Sequence, residues 1–534
     1  MARKIKLVLQ HEQEKTIEIV DAMTKGYLDY AFSSMWRALP SVKDGLKPLH
    51  RRILWTLKDY ERFVKSARIV GDVLGKYHPH GDQAAYEGMQ TLAIPFRRNA
   101  QLVEPQGNWG SLDGDPAAGM RYTEAKISAM AVDLFYGPEA EFLDLQPNYD
   151  ETEEEPKYFS PKIPILLVNG AWGATSGYQC CIPPHNLGEV CDATMAYVEG
   201  KKPHLVNRCI TGPDFKTGGM CVSNEGSVER GILNGKGSML LVPFTEIEEY
   251  GRGRWALVLK NVPYASNKEL YLKNLLKKIV DDPVLGDLVA EIQDQSGSVE
   301  IQKADKTTEL IDDVRVLVIF KKTVSKSDID GYRDIMLQKK MISATYNYSS
   351  IVMYEDMPVR CGIYEIIKGW YDYRYERINY YLHSIIDRYE KDLVLYTEVL
   401  KFVKEFTKLS KFILEHDTKE IIAEFSKYDI STETTKFILK AAIGRFKNRA
   451  DDIVKLQLEL KQKLNSAEIS LKNINGLIYD EVKTIKRRYA TPRRTTMMHV
   501  VGWDKILKEE PVVVVDTKKR KTKEVKKYCI LQKY

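Results

Sequence analysis

The chain lacks most of the features that announce a function directly. Its seven cysteines (Cys180, Cys181, Cys191, Cys209, Cys221, Cys361 and Cys529) form no Cys-x-x-Cys pair. That argues against a zinc module or a disulfide framework and fits the reduced thiols of a cytoplasmic protein. Adjacent Cys180 and Cys181 read as packing residues, because chain neighbours do not easily chelate one ion together. No apolar run reaches the ~20 residues needed to span a bilayer, and no charged-then-apolar signal opens the chain, so neither insertion nor secretion is expected. Gly235-Lys236-Gly237-Ser238 has the wrong glycine spacing for a phosphate-binding loop, and no other ATP-binding glycine pattern occurs. Only nine histidines are present. His78, His80 and Asp82 form one candidate metal set, which keeps a metal-dependent phosphoesterase open as a rival reading.

What is present points to a folded, multidomain protein. At 534 residues, with 44% hydrophobic and 29% charged residues, the chain is too long for one core and should form three or more domains. The net charge of +6 is a weak argument by itself, but charge is segregated. Residues 517–534 hold eight Lys/Arg against one Glu, leaving the remainder near −1. Within that remainder, basic residues gather at 37–52, at Arg97-Arg98 and at 483–494, and acidic ones at 150–155. Local basic patches on a nearly neutral body suit a protein that grips DNA along chosen surfaces.

Residues 1–36 open with an alternating segment at 4–10. A helix is expected over 17–36, with Ile19, Met23, Tyr27 and Ala31 on one face. From 37 to 160, short helical patterns are cut by Pro40, Pro48, Pro79, Gly81, Pro95 and a Gly/Asp-rich loop at 107–119. Such compact helical units, carrying Lys and Arg, can set a helix against duplex DNA. Residues 161–350 change to strand-like runs at 163–170, 237–243, 255–262 and 314–320, with helical stretches such as 269–280 between them. From 359 to 491 there is no proline, which predicts long helices, ascending from 364 to about 415 and returning from 452 to about 489 around a small helical knot. Residues 351–500 are therefore expected to form a coiled coil. A basic tail at 501–534, holding at most two hairpin strands, closes the chain.

The most informative residues are Arg121-Tyr122, behind the Gly/Asp loop and ahead of a segment expected to be helical over 125–134. A tyrosine so placed can offer its phenol oxygen to a phosphate, with a guanidinium beside it for the charged transition state. A phenol with a free pKa of about 10 needs activation, and nearby cations supply it by favouring the phenolate.

Three blocks, at 37–52, 71–82 (Gly71-Asp72-Val73-Leu74-Gly75-Lys76-Tyr77-His78-Pro79-His80-Gly81-Asp82) and 106–124, resemble in order and spacing the DNA breakage-reunion subunit of type IIA topoisomerases, the family of the gyrase and topoisomerase IV A subunits. Pro183-Pro184-His185-Asn186-Leu187, Asn261-Val262-Pro263-Tyr264 and Arg493-Arg494-Thr495 are further landmarks, and the resemblance covers about 30–500. It implies an α+β multidomain fold: an N-terminal helical arm (1–36), a winged-helix catalytic domain (37–160), an α/β tower (161–350), and a coiled coil with a helical dimerisation gate (351–500). It makes Tyr122 the nucleophile of a transient 5′-phosphotyrosine link, with Arg121, Arg37 and His80 at the scissile phosphate. Lys47, His50, Arg51, Arg52, His78, Arg97 and Arg98 become DNA contacts that position without reading sequence.

The resemblance also implies three partners in an A2B2 holoenzyme: double-stranded DNA, a second copy of the chain, and a B-type subunit carrying the ATPase and TOPRIM domains. That partner would bind ATP and hold Mg2+, with no metal site in this chain. The resemblance stops before the large DNA-wrapping domain of the gyrase A-type chain, as in the truncated subunits of large T-even-type phages or in a reduced bacterial enzyme, so relaxation and decatenation are expected rather than supercoiling. Three positions depart from the family. Ala174 stands where an isoleucine wedge bends DNA, and alanine is a poor wedge; Trp172 or Tyr178 are the candidates to replace it. Gln83 stands where a serine commonly contacts fluoroquinolones, with Glu87 retained, so low sensitivity is expected. Arg97-Arg98-Asn99 is more basic than the family segment. A DNA-binding coiled-coil scaffold that does not cleave is the non-enzymatic alternative.

Overall fold

The computed structural model describes residues 19–499 apart from 252, 303–307, 442–445 and 447–448. The segment at 4–10 and the tail at 501–534 lie outside the described residues. The first helix, α1 (Ile19–Ala38), buries Ala31 and Met35 but leaves Val20, Met23, Tyr27, Leu28, Phe32 and Trp36 in solvent. Among the described residues nothing covers the face expected to be apolar at Met23 and Tyr27.

Three short helices follow: α2 (Pro48–Leu57), α3 (Ser66–Lys76) and α4 (Asp82–Ala93). Proline at the first position of α2 suits its fixed φ to a helix start. Ile53, Leu54, Leu57, Ile69, Val73 and Met89 bury almost completely between the three. Beside them lies an antiparallel sheet of β1 (Val64–Lys65), β2 (Val103–Gln106) and β3 (Glu124–Ile127), with β3 central. The helix expected over 125–134 is therefore corrected. Its first residues are strand, and α5 (Ala129–Phe135) starts only after Ser128, whose hydroxyl accepts the Ala131 N–H at 3.0 Å. The acidic run at 150–155 feeds a two-stranded ribbon of β4 (Leu145–Pro147) and β5 (Glu154–Pro156).

The strand expected at 163–170 is instead a short helix, α6 (Ile165–Asn169). A short, wholly buried apolar run shows no periodicity that separates strand from helix. It ends at Gly170, φ 63°, where any Cβ would overlap the Ile182 carbonyl. A six-stranded sheet follows. The hairpin of β6 (Ala171–Thr175) and β7 (Tyr178–Ile182) forms one edge, then Ala344–Ser349, Lys236–Val242 and Gly219–Ser223, with Thr495–His499 at the far edge. That last strand pairs in parallel with Gly219–Ser223. Asn186 caps α7 (Leu187–Val198) through the N–H groups of Gly188 and Glu189.

A separate core belongs to a four-stranded antiparallel sheet in the order Thr245–Glu249, Trp255–Leu259, Val316–Phe320, Val289–Asp294. Helices Lys268–Val280 and Lys326–Gln338 cover it through Leu275, Ile279, Ile329 and Met336. The proline-free region gives a 42-residue helix, Ile363–Lys404, and a return through Ala450–Lys472 and Ile474–Tyr489. Short helices close the distal end around Phe402, Leu409, Phe425 and Ile438. At the base, the buried guanidinium of Arg374 donates to Glu139 (2.7 Å), to the Ser160 carbonyl (2.6 Å) and to Glu481 (2.7 Å). The whole is a mixed α/β structure, and among the described residues no helix is long and apolar enough to cross a membrane.

Candidate nucleic-acid interface

Tyr122 follows the 107–119 loop just before β3, and it is 63% exposed. Its neighbours are not. Thr123 is fully buried, with Oγ1 2.7 Å from Ser66 Oγ and 2.8 Å from the Tyr86 hydroxyl. That hydroxyl also reaches the Ala118 carbonyl at 2.7 Å, and the Tyr86 ring packs against buried Trp109. The Ser66 N–H donates to Thr123 O, the Ala67 N–H to Met120 O, and the Tyr122 N–H to Gly119 O. The backbone on both sides of Tyr122 is thus fastened to α3 and α4, while the phenol stands in solvent. The Arg121 guanidinium, also exposed, lies 4.8 Å from the centre of the tyrosine ring. The sequence motif contained Thr123, but nothing in the sequence marked Ser66 or Tyr86 as its partners.

The start of α4 presents exposed His80, Gly81, Asp82, Gln83 and Glu87, with Gln83 donating to Glu87 at 2.9 Å. His80 stacks on His78, their ring centres 4.2 Å apart. His78 is buried, and its Nδ1 lies 2.9 Å from the Arg52 guanidinium. Burial, helped by His80 and Arg52, pushes its pKa down to about 4. His78 is therefore a neutral acceptor at pH 7, with its proton on Nε2.

Most of the other expected phosphate contacts also have partners within the protein. Arg51 is buried and holds Asp44 with two bonds of 2.6 and 3.0 Å, beneath the Tyr158 ring. Arg52 grips Glu155 at 2.7 and 2.8 Å. Burial, with Lys47, Arg98 and Arg51 around it, holds His50 well below the usual histidine range. Arg98 donates to the Thr91, Asn169 and Gly170 carbonyls, tying the end of α4 to α6. Half-buried Lys47 donates to the Trp172 carbonyl at 2.7 Å, and burial lowers its pKa. These cations meet internal acceptors, and a guanidinium already gripping a carboxylate has no free fork for a phosphate. Of the expected set, Arg37, His80, Arg97 and Arg121 are the ones left exposed.

On β6 side chains alternate, so Trp172 and Ala174 share the outer face, opposite Cys181 and Gln179 of β7. Trp172 is 65% exposed. Tyr178 pairs with Thr175, on the other face.

Among the described residues no group of three or more His, Cys, Asp or Glu side chains is arranged to hold a metal ion, and His78, His80 and Asp82 are no exception. The family model for the A subunit of DNA gyrase/topoisomerase IV matches residues 37–483. The chain is 30% identical over 525 residues to the DNA gyrase A subunit of Rickettsia bellii (strain RML369-C), covering 90% of this chain and 55% of that protein. It is 30% identical over 492 residues to the DNA topoisomerase 4 A subunit of Staphylococcus epidermidis (strain ATCC 12228 / FDA PCI 1200), covering 89% and 58%. It is 31% identical over 504 residues to the DNA gyrase A subunit of Lawsonia intracellularis (strain PHE/MN1-00), covering 91% and 59%. The chain thus spans little more than half the length of these relatives. With a match running from the end of α1 to the returning helix, the chain belongs to the family of DNA gyrase and topoisomerase IV A subunits.

Proposed function

We propose that the chain is the DNA breakage-reunion subunit of an ATP-dependent type IIA topoisomerase, with Tyr122 as the nucleophile. The observation that carries this reading is the exposed phenol of Tyr122 on a buried, hydrogen-bonded foundation, with the Arg121 guanidinium against its ring. The phenol oxygen attacks the scissile phosphorus and gives up its proton. A bond forms from Tyr122 to the 5′ phosphate, the bond to the 3′ oxygen breaks, and that oxygen leaves with a proton. One phosphodiester replaces another, so the reverse attack by the 3′ hydroxyl reseals the strand without an energy source.

Arg121 and Arg37 stabilise the charge on the non-bridging oxygens, and His80 handles the proton. His78 acts behind His80, holding its ring by stacking. The cluster α2–α4 with its small sheet serves as the winged-helix unit, the four-stranded sheet and its helices as the tower, and the long helices as arms to a dimerisation gate. The exposed apolar face of α1 supports an arm that reaches a second copy of the chain. Trp172, on the outer face of β6, supplies the apolar bulk that Ala174 lacks for bending the duplex. Mg2+ and ATP belong to an ATPase/TOPRIM partner chain.

Tyr122→Phe removes only the nucleophilic oxygen. With the partner subunit, DNA and Mg2+, it should abolish the covalent protein–DNA adduct while DNA affinity stays within about twofold. Adducts that persist in Tyr122→Phe would refute the assignment. Cleavage by the isolated chain without its partner would instead favour the metal-dependent phosphoesterase.

A further inference from the structure

The loop that precedes Tyr122 spans two cores. Trp109 is buried in the first, whereas Leu112 packs against the apolar core of the four-stranded unit. There the Leu112 carbonyl accepts the backbone N–H of Lys268 at 2.9 Å. The Lys268 side chain is only 6% exposed, and its ammonium lies 3.0 Å from Asp113 Oδ1 and 2.8 Å from Asp294 Oδ2. Asp294 ends the strand Val289–Asp294, so one cation joins the loop, the helix it begins and the neighbouring sheet. The loop tip is closed on itself as well: Ser111 Oγ donates to Asp115 at 2.6 Å, and the Gly114 N–H donates to Ser111 O at 3.2 Å. Gly114, at φ 93°, sits so close to Asn267 that a Cβ would overlap that side chain.

Residues 107–119 contain four glycines, which left alone would sample many conformations. A nucleophile on such a loop loses rate steeply with misplacement; a 1 Å error costs about a hundredfold. The two carboxylates need the ammonium between them, and both hold its pKa above the ordinary lysine value against the effect of burial. Without that cation, Asp113 and Asp294 repel each other and the loop tip is released.

We propose that Lys268 is a positioning residue for Tyr122: its ammonium, shared by Asp113 and Asp294, fastens the 107–119 loop to the four-stranded unit and so fixes where the phenol stands. The proposal rests on the reading of Tyr122 as nucleophile. Full-length Lys268→Met and Lys268→Arg proteins, each combined with the ATPase partner, Mg2+ and plasmid DNA, test it through single-turnover adduct formation, DNA affinity and amide hydrogen exchange. Lys268→Met should slow adduct formation about tenfold or more on bound DNA, with affinity within about twofold. Exchange should quicken over 107–119 while the amides of α2–α4 keep their protection, and Lys268→Arg should restore both.

Unchanged adduct rate and unchanged loop exchange in Lys268→Met would overturn the clamp. So would faster exchange spread through α2–α4, which marks a general loss of structure. If the unmutated chain forms no adduct at Tyr122, it is the nucleophile reading that falls, and the exchange measurements still decide whether Lys268 holds the loop.

Discussion

His78 shows how far a side chain's neighbours decide its role. In the sequence, His78-Pro79-His80 offers two equivalent imidazoles, either of which suits a phosphate or a metal. In the structure one is buried against Arg52 and the other stands in solvent. The pKa of His78 falls from the ordinary 6.5 to about 4 on folding, so between those values the unfolded chain binds the extra proton. Its contribution to stability is therefore full above pH 6.5 and is lost as pH falls toward 4. At pH 5.5 the loss should be about 1 kcal/mol or less, since solvent at the open edge of the ring screens part of it. Chemical denaturation at pH 7.5 and 5.5 should show a smaller acid penalty for His78→Gln than for the unmutated chain. Equal penalties would mean that the ring is charged in the folded state. His185, pushed down to about 4 by burial, and His50 remain in both proteins and set the common background.

At the scale of elements, the long helices and the strands expected at 237–243, 255–262 and 314–320 were legible because their signals are local: a proline-free stretch, and β-branched runs between turns. The short helix Ile165–Asn169 was not, because a fully buried run carries no amphipathic pattern. For the candidate site, the sequence singled out Arg121-Tyr122, whereas the inward turn of Arg51, Arg52 and Arg98 was not legible in it. Their partners, Asp44, Glu155 and the carbonyls at 91, 169 and 170, become neighbours only through tertiary packing. Arg374 is the same case on a larger element. It joins the helix Ile363–Lys404 to Glu139 and to Glu481 on the returning helix, and its side chain is 1% exposed. Arg374→Met strands those carboxylates and should cost about 3–5 kcal/mol, read as a lower denaturant midpoint. A Glu139→Gln/Glu481→Gln/Arg374→Met protein should recover part of that loss, and no recovery would argue that Arg374 acts by packing alone.

For the molecule as a whole, a net charge of +6 says little until each cation is assigned to a partner. Duplex binding releases counterions in proportion to the phosphates neutralised, so exposed and internal cations should separate in salt dependence. Arg97→Ala should reduce the slope of log affinity against log salt by about 1. Arg52→Met, whose guanidinium is already held by Glu155, should leave that slope unchanged while lowering stability. A slope that falls equally in both would show that Arg52 leaves Glu155 for the duplex. The final described strand adds a consequence of another kind. Because Thr495–His499 returns to the six-stranded sheet, the chain is anchored in that one sheet both before the ascending helix, through Ala344–Ser349, and after the descending one. A helix of 42 residues is ~63 Å long at 1.5 Å per residue. Mounted that way it is a moment arm, on which a tilt of about 10° at the root carries the far end roughly 11 Å. Small rotations at the root are thereby geared up into displacements at the far end comparable to a helix diameter, and a force applied there returns to the root as torque.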